Sequence, residues 1–225
     1  MSPHGESPVA SQRIADVLAD RILSGTLEPD ARIKQDELAA EFHTSRIPVR
    51  EALRILEVRG LVTLKANAGA RVASLTVRDM DISYEIREKL EPMLLADSLP
   101  HLTGADLAAM RAINLRMEQA RDVDAFLPLN RQFHWTAFSR HQAPLLADIV
   151  ERLWDKTQSY RRAYARLAMN DPERMALMRT ERDLLLRAIE RGETDLAPRI
   201  LAMHIRRTHL GLLDYSDQIA RLAMS

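Results

Sequence analysis

Residues 44–62 read Thr44-Ser45-Arg46-Ile47-Pro48-Val49-Arg50-Glu51-Ala52-Leu53-Arg54-Ile55-Leu56-Glu57-Val58-Arg59-Gly60-Leu61-Val62. Val49, Ala52, Leu53 and Leu56 recur at helical spacing, so they form one buried stripe. Ser45 fits the N-cap, Pro48 is tolerated in the first turn, and Gly60 stops the helix. Arg46 and Arg50 lie one turn apart and share the opposite face, with Ile47 also exposed beside them. A helix with an apolar back and two arginines near its start can enter the DNA major groove. There an arginine reaches guanine O6 and N7 through two hydrogen bonds, and an apolar tip such as Ile47 meets a thymine methyl.

The flanking sequence supplies the rest of a small domain. Ile14, Val17, Leu18, Ile22 and Leu23 predict a helix over residues 9–24, closed by Gly25. Residues 26–32, with Pro29 and Asp30, read as a turn. A short helix over 35–42 carries Leu38, Ala39 and Phe42 on one side, and His43-Thr44-Ser45 breaks it. His tolerates a left-handed backbone better than most residues, so His43 suits the corner between the two helices. Beyond Gly60, Leu61-Val62-Thr63-Leu64 and Ala70-Arg71-Val72-Ala73 flank Asn67-Ala68-Gly69 as a hairpin. Two helices around a tight turn, followed by a hairpin, predict a winged helix-turn-helix over 9–75, with residues 1–8 a disordered tail. Thr44, Ser45 and the helix N-terminus suit a backbone phosphate, Lys34 a second one, and Asn67, Ala68 and Gly69 the minor groove.

Charge agrees through its distribution. Lysine plus arginine equals aspartate plus glutamate at 32 each, yet Arg46, Arg50, Arg54, Arg59, Lys65 and Arg71 face only Glu51 and Glu57. That local basic excess is the electrostatic footprint groove binding needs. The absence of cysteine excludes disulfides, thiolate metal sites and cysteine nucleophiles. No apolar run approaches the roughly 18 residues of a membrane span, so a cytoplasmic location is expected. From Thr76 onward the pattern is helical over 76–98, 104–121, 123–141, 144–169, 172–191 and 194–222. Six helices predict an all-α bundle over 76–225, large enough to enclose a cavity.

The string Ser45-Arg46-Ile47-Pro48-Val49-Arg50-Glu51-Ala52-Leu53, with Gly60-Leu61-Val62 and Gly69-Ala70-Arg71-Val72, closely resembles the GntR family of bacterial regulators. The C-terminal part resembles the FadR subfamily's FCD-type sensor domain, and six helices suit its shorter, VanR-like branch. The resemblance spans almost the whole chain. It implies a DNA-binding transcriptional regulator, usually a repressor, acting as a homodimer on double-stranded operator DNA and answering to a small-molecule effector.

Relatives of this sensor type commonly hold a divalent metal between one aspartate and three histidines. The matching positions here are Asn130, His134, Arg182 and His204. Asn is a weaker ligand than a carboxylate, and arginine has no lone pair to donate and repels a cation. The expectation is therefore no metal or other cofactor, with Asn130, His134 and His204 the residual ligands of a degenerate site. Arg182 is expected to substitute for the metal's charge and clamp a carboxylate effector through paired hydrogen bonds. Arg87 matches an arginine typical of the first sensor helix; it either faces the same cavity or pairs with Glu91 one turn on. Two alternatives stand beside this reading: a regulator that ignores effectors and acts constitutively or through a protein partner, and an enzyme using His134 or His204 as a base. No Ser-His-Asp set, paired carboxylates or phosphate loop supports the enzyme.

Overall fold

A computed structural model describes residues 6–65 and 69–214. The N-terminal part is built from α1 (Glu6–Leu23), β1 (Arg32–Ile33), α2 (Gln35–Glu41), α3 (Arg46–Val58), β2 (Val62–Lys65) and β3 (Gly69–Val72). Helix α1 begins at Glu6, three residues inside the segment expected to be a tail, and carries on through the predicted stripe. Ile14, Leu18, Val49, Ala52, Leu53 and Leu56 are at most 2% exposed and form one core with Leu38, Leu61, Val62 and Val72. The corner residue His43 adopts φ 50°, the left-handed conformation its position requires. Gly60, at φ 74°, then turns the chain out of α3, and Leu61 N–H closes the end on Leu56 C=O at 2.9 Å.

The wing pairs β2 antiparallel to β3, with Val62 opposite Val72 and Lys65 opposite Gly69. The sequence pattern had no signal for β1, whose two residues extend the hairpin to a three-stranded sheet in the order β1-β3-β2. Two residues are too few to show alternation, so only the pairing of Arg32 with Arg71 reveals the strand.

The C-terminal part contains α4 (Val77–Ser98), α5 (Gly104–Gln119), α6 (Val123–Phe138), α7 (Pro144–Lys156), α8 (Gln158–Met169), α9 (Pro172–Glu190) and α10 (Leu196–Asp214), with one 3-10 turn over Leu99–His101. Thr76 and Thr103 open α4 and α5 with capping boxes, closed reciprocally by Asp79 and Asp106. A second core, centred on Leu94, Leu95, Met110, Phe133, Phe138, Val150, Trp154, Leu201 and Leu212, joins the seven helices. The predicted six-helix count is thus corrected to seven among the described residues, because the span 144–169 breaks at Thr157. The Thr157 hydroxyl bonds back to Leu153 C=O at 2.7 Å and also accepts from Arg87 and Arg161. A threonine bonded to the carbonyl four residues earlier opens and bends a helix, and the two arginines hold it there.

The two parts meet through α7 and α8. The Asp155 carboxylate, 1% exposed, accepts from Arg59 Nη2 and from Arg131 Nη1, each at 2.9 Å. Gln158 Nε2 donates to Leu23 C=O at 3.2 Å, and Tyr160 donates its hydroxyl hydrogen to Leu75 C=O at 3.0 Å. Arg59, counted above with the basic DNA face, is thereby turned inward to the other domain. No described helix is long and apolar enough to cross a membrane.

Candidate functional site

Helix α3 presents Arg46, Ile47, Arg50 and Arg54 to solvent while Pro48, Val49, Ala52 and Leu53 are buried. Ile47 is 72% exposed, beside the two arginines of this face. Arg46 is ion-paired to Asp36 of α2, both side chains about two-thirds exposed. Lys34 Nζ lies 2.6 Å from Glu37 Oε1, so each of these cations has a surface partner that a phosphate or base can replace at little cost. Ser45 occupies the N-cap position in extended conformation without a side-chain cap bond, and Thr44 precedes it in the turn. Gly69 opens β3 at φ 80° with no atom crowding the position of a Cβ. Asn67 and Ala68 lie outside the described residues. Arg71, the last of the basic residues, donates to Asp30 C=O at 2.7 Å and secures the sheet instead.

The bundle encloses a cavity of about 40 Å³, walled by Tyr84, Arg87 and Glu91 of α4, Asn130 and His134 of α6, Trp154 of α7, Arg161 and Tyr164 of α8, and His204 and Thr208 of α10. A smaller cavity beside it shares Asn130, His134 and His204 and adds Glu181 and Arg182 of α9. All five residues expected to bind an effector therefore border two adjoining cavities, Arg87 the first, Arg182 the second, and Asn130, His134 and His204 both.

Their individual contacts differ from a simple clamp. Arg182 gives its Nε to Asn114 Oδ1, so part of its donor fork is already used. His204 Nδ1 sits 2.8 Å from Glu181 Oε2; a carboxylate only accepts, which places the proton on Nδ1. Arg207 binds the same carboxylate. Both alternatives for Arg87 hold together: its Nε meets Glu91 Oε1 at 2.5 Å, and it also borders the cavity, 4.9 Å above the Trp154 ring.

The residue that sequence reasoning missed is Arg161. It is 6% exposed, stands 4.3 Å from the Trp154 ring, and donates to Thr157 Oγ1 at 2.7 Å, to Trp154 C=O at 2.5 Å and to Gln158 Oε1. Burial and the nearby Arg87 charge pull its pKa down to about 9, leaving it a cation at neutral pH. The available signal was its phase: Trp154, Thr157, Arg161, Tyr164 and Ala168 recur at three- and four-residue intervals, and all are buried. Two guanidinium groups thus stand within 5 Å of one tryptophan ring at the cavity wall, beside one fully buried carboxylate, Glu91. An excess of buried positive charge is costly unless an anion completes it.

Comparison with known proteins fits this geometry. Residues 81–207 match the FCD domain family, and residues 10–72 match the family described as bacterial regulatory proteins, gntR family. The chain belongs to the GntR family, in its FCD branch. This GntR regulator is 32% identical over 146 residues to the HTH-type transcriptional regulator McbR of Escherichia coli K12, a stretch covering 63% of the chain and 66% of McbR. It is 27% identical over 205 residues to the gluconate operon transcriptional repressor of Bacillus licheniformis, covering 84% of each. The solved structure of E. coli McbR/YncC superposes with TM-score 0.79 at 25% identity, over 92% of this chain and 98% of that one. These relatives are transcriptional regulators, not enzymes.

The donor set does not fit the metal that GntR relatives of this type hold. Among the described residues no three His, Asp or Glu side chains converge on one point. Asn130 offers a neutral amide, Arg182 a cation, and the Glu181 carboxylate is already shared by His204 and Arg207.

His134 also makes this regulator sensitive to acid. Burial, and then the charges of His204, Arg87, Arg161 and Arg182, hold its pKa well below the ordinary histidine value. The unfolded chain gains a proton on this imidazole below about pH 6.5, while the folded chain stays neutral there. Stability therefore falls with decreasing pH through that window, by up to about 1.4 kcal/mol per pH unit for one proton. Melting curves between pH 8 and pH 5 should steepen below 6.5 in the wild type and flatten in His134→Gln; identical slopes would refute the assignment.

Proposed function

We propose that this GntR regulator is a cytoplasmic, sequence-specific repressor that reads a two-fold operator as a homodimer and responds to a small carboxylate held in its bundle cavity. The observation that carries the effector reading is the pair of buried arginines, Arg87 and Arg161, set against the single carboxylate of Glu91. Arg161 supplies the main anion contact, through the hydrogens left over from its bonds to Thr157, Trp154 C=O and Gln158. Arg87 adds charge, and Asn130, His134, His204 and Arg182 continue the polar lining. The gluconate repressor among its relatives is named for control of an operon, which supports the repressor reading.

A route from cavity to DNA is built into α7. Trp154 is in contact with both cavity arginines, and its neighbour Asp155 grips Arg59 at the end of α3. An anion that draws Arg161 away from Trp154 displaces the last turn of α7 and, with it, the reading helix. Control requires that the ligand bind one of the two arrangements more tightly.

The test is a melting screen of small carboxylates against their neutral amides. A true effector at a hundred times its Kd adds about 2.7 kcal/mol, or roughly 5–10 °C for a domain of this size. The same compound should release operator DNA in a gel-shift assay. Amides as effective as acids would overturn the anion site, and no response to any acid would favour the constitutive regulator.

A further inference from the structure

A separate cavity of about 60 Å³ lies at the junction of the two parts and shares no lining residue with the bundle cavities. The DNA-binding part walls it at Gly25 and Leu61, and α7 and α8 wall it at Lys156, Arg162 and Arg166. Arg162 and Arg166 are one turn apart on α8, so two like charges border the same space. Gly25, at φ 78°, brings the turn after α1 so close that an added Cβ would stand 3.2 Å from Arg162 Cδ and Nε. The Arg162 side chain is only 12% exposed. Its Nη1 meets Asp124 Oδ1 at 2.6 Å, yet its Nε is buried with no hydrogen-bond partner. Native interiors rarely leave such a donor unpaired. Arg166 and Lys156 make no ion pair among the described residues. The acids nearby compensate them poorly: Asp155 is held by Arg59 and Arg131, and Glu28 and Asp124 are exposed and screened by water. Asp79 of α4 acts on Lys156 without contact.

We propose that this junction binds phosphate, either free or as the phosphate group of a small metabolite, and that its occupancy fixes how the DNA-binding part sits on the bundle. Two guanidinium forks and an ammonium match a group with three terminal oxygens and about two negative charges. A carboxylate has two oxygens and one charge, which a single guanidinium saturates. The cavity holds roughly five waters, room for a phosphate group but not for a nucleotide. An open cleft of about 480 Å³ adjoins it at Leu23, Gln158 and Arg162, and there the hydroxyls of Ser24 and Thr26 and the carboxylates of Asp20 and Asp124 suit a hydroxylated body. Because the walls belong to both parts, the ligand favours this placement of the reading helix and is linked to operator affinity reciprocally. The site stands whether or not the bundle cavity takes a carboxylate.

The test is calorimetric titration of the full chain, at fixed ionic strength, with inorganic phosphate, glycerol 3-phosphate and acetate, in wild type and in Arg166→Gln. Hydrogen bonds to a charged group correspond to about 10- to 100-fold in affinity, so the variant should weaken phosphate by that factor and acetate by less than about threefold. Its melting temperature without ligand should hold or rise, since a like charge beside Arg162 is gone. Saturating phosphate should shift operator affinity by about fivefold or more in wild type and not in the variant. Tighter binding of glycerol 3-phosphate than of phosphate assigns the site to a monoester, and equal or weaker binding assigns it to free phosphate.

An undiminished phosphate affinity in Arg166→Gln would place the anion elsewhere and overturn the site, as would no phosphate binding at millimolar concentration. Acetate weakened as much as phosphate would overturn the ligand class. Phosphate binding without any shift in operator affinity would overturn the coupling. Lys156→Gln, on the exposed rim, should also weaken phosphate about 10-fold and keeps the test decisive if Arg166→Gln folds poorly.

Discussion

Arg50→Ala removes specific operator binding while leaving the melting temperature unchanged within about 1–2 °C. Arg50 is exposed on α3, one turn beyond Arg46 and on the face opposite the buried Val49 and Leu53. Its removal opens no cavity in the core and strands no buried charge, so folding loses little. Recognition loses much. One bidentate arginine–guanine contact contributes about 1–3 kcal/mol of discrimination, and the proposed dimer uses it twice. Affinity for operator should fall by roughly 30-fold at the least, with weak non-specific binding retained. Arg46→Ala should behave alike, since the exposed ion pair with Asp36 contributes little to stability. Competition gel shifts of operator against scrambled DNA measure both variants, and operator preference intact in either would remove that arginine from the reading face.

Glu91→Leu has the opposite signature, a large loss of stability. The carboxylate is 0% exposed and is, among the described residues, the only one within the wall that holds Arg87 and Arg161. Removing one partner of a buried ion pair leaves an uncompensated charge and costs about 3–5 kcal/mol. For a chain of this length that lowers the melting temperature by roughly 6–20 °C. The double variant Arg87→Met/Glu91→Leu should recover part of the loss, because both desolvated charges are then gone. Thermal and urea unfolding of the three proteins test this. A single variant that melts within about 2 °C of wild type would show that Glu91 is not needed as a counter-charge.

The DNA-reading half was legible because its information is local. The stripe of Val49, Ala52, Leu53 and Leu56 and the solvent face of Arg46, Ile47 and Arg50 follow from a period of 3.6 residues within thirteen positions. His43 and Gly60 mark their corners because few residues accept φ of 50° or 74°. Misreadings came where one signal had two meanings. Arg59 has the charge of a DNA contact, yet Asp155, 96 residues away in sequence, claims it. The helical pattern runs unbroken through Thr157, and at the break its hydroxyl is held by Arg161 one turn on and by Arg87, 70 residues away in sequence.

The sensor half shows the same division more sharply. That Asn130, His134, Arg182 and His204 come together was readable from the family resemblance alone, and the poor chemistry for a metal from their residue types. Which arginines share the cavity wall with Glu91 was not. Arg87 and Arg161 meet at Thr157 from helices α4 and α8, and their nearness exists only once α4 packs beside α7 and α8. Sequence by itself determined which face of each helix is apolar, where the helices start, and that α3 carries the exposed two-arginine face expected of a DNA reader, because backbone geometry imposes those patterns residue by residue. Tertiary structure alone decided that Arg161 and Glu91 share a cavity, and that Asp155 ties that cavity to α3. Such pairings depend on how distant helices pack, and charge at a single position carries no record of its partner.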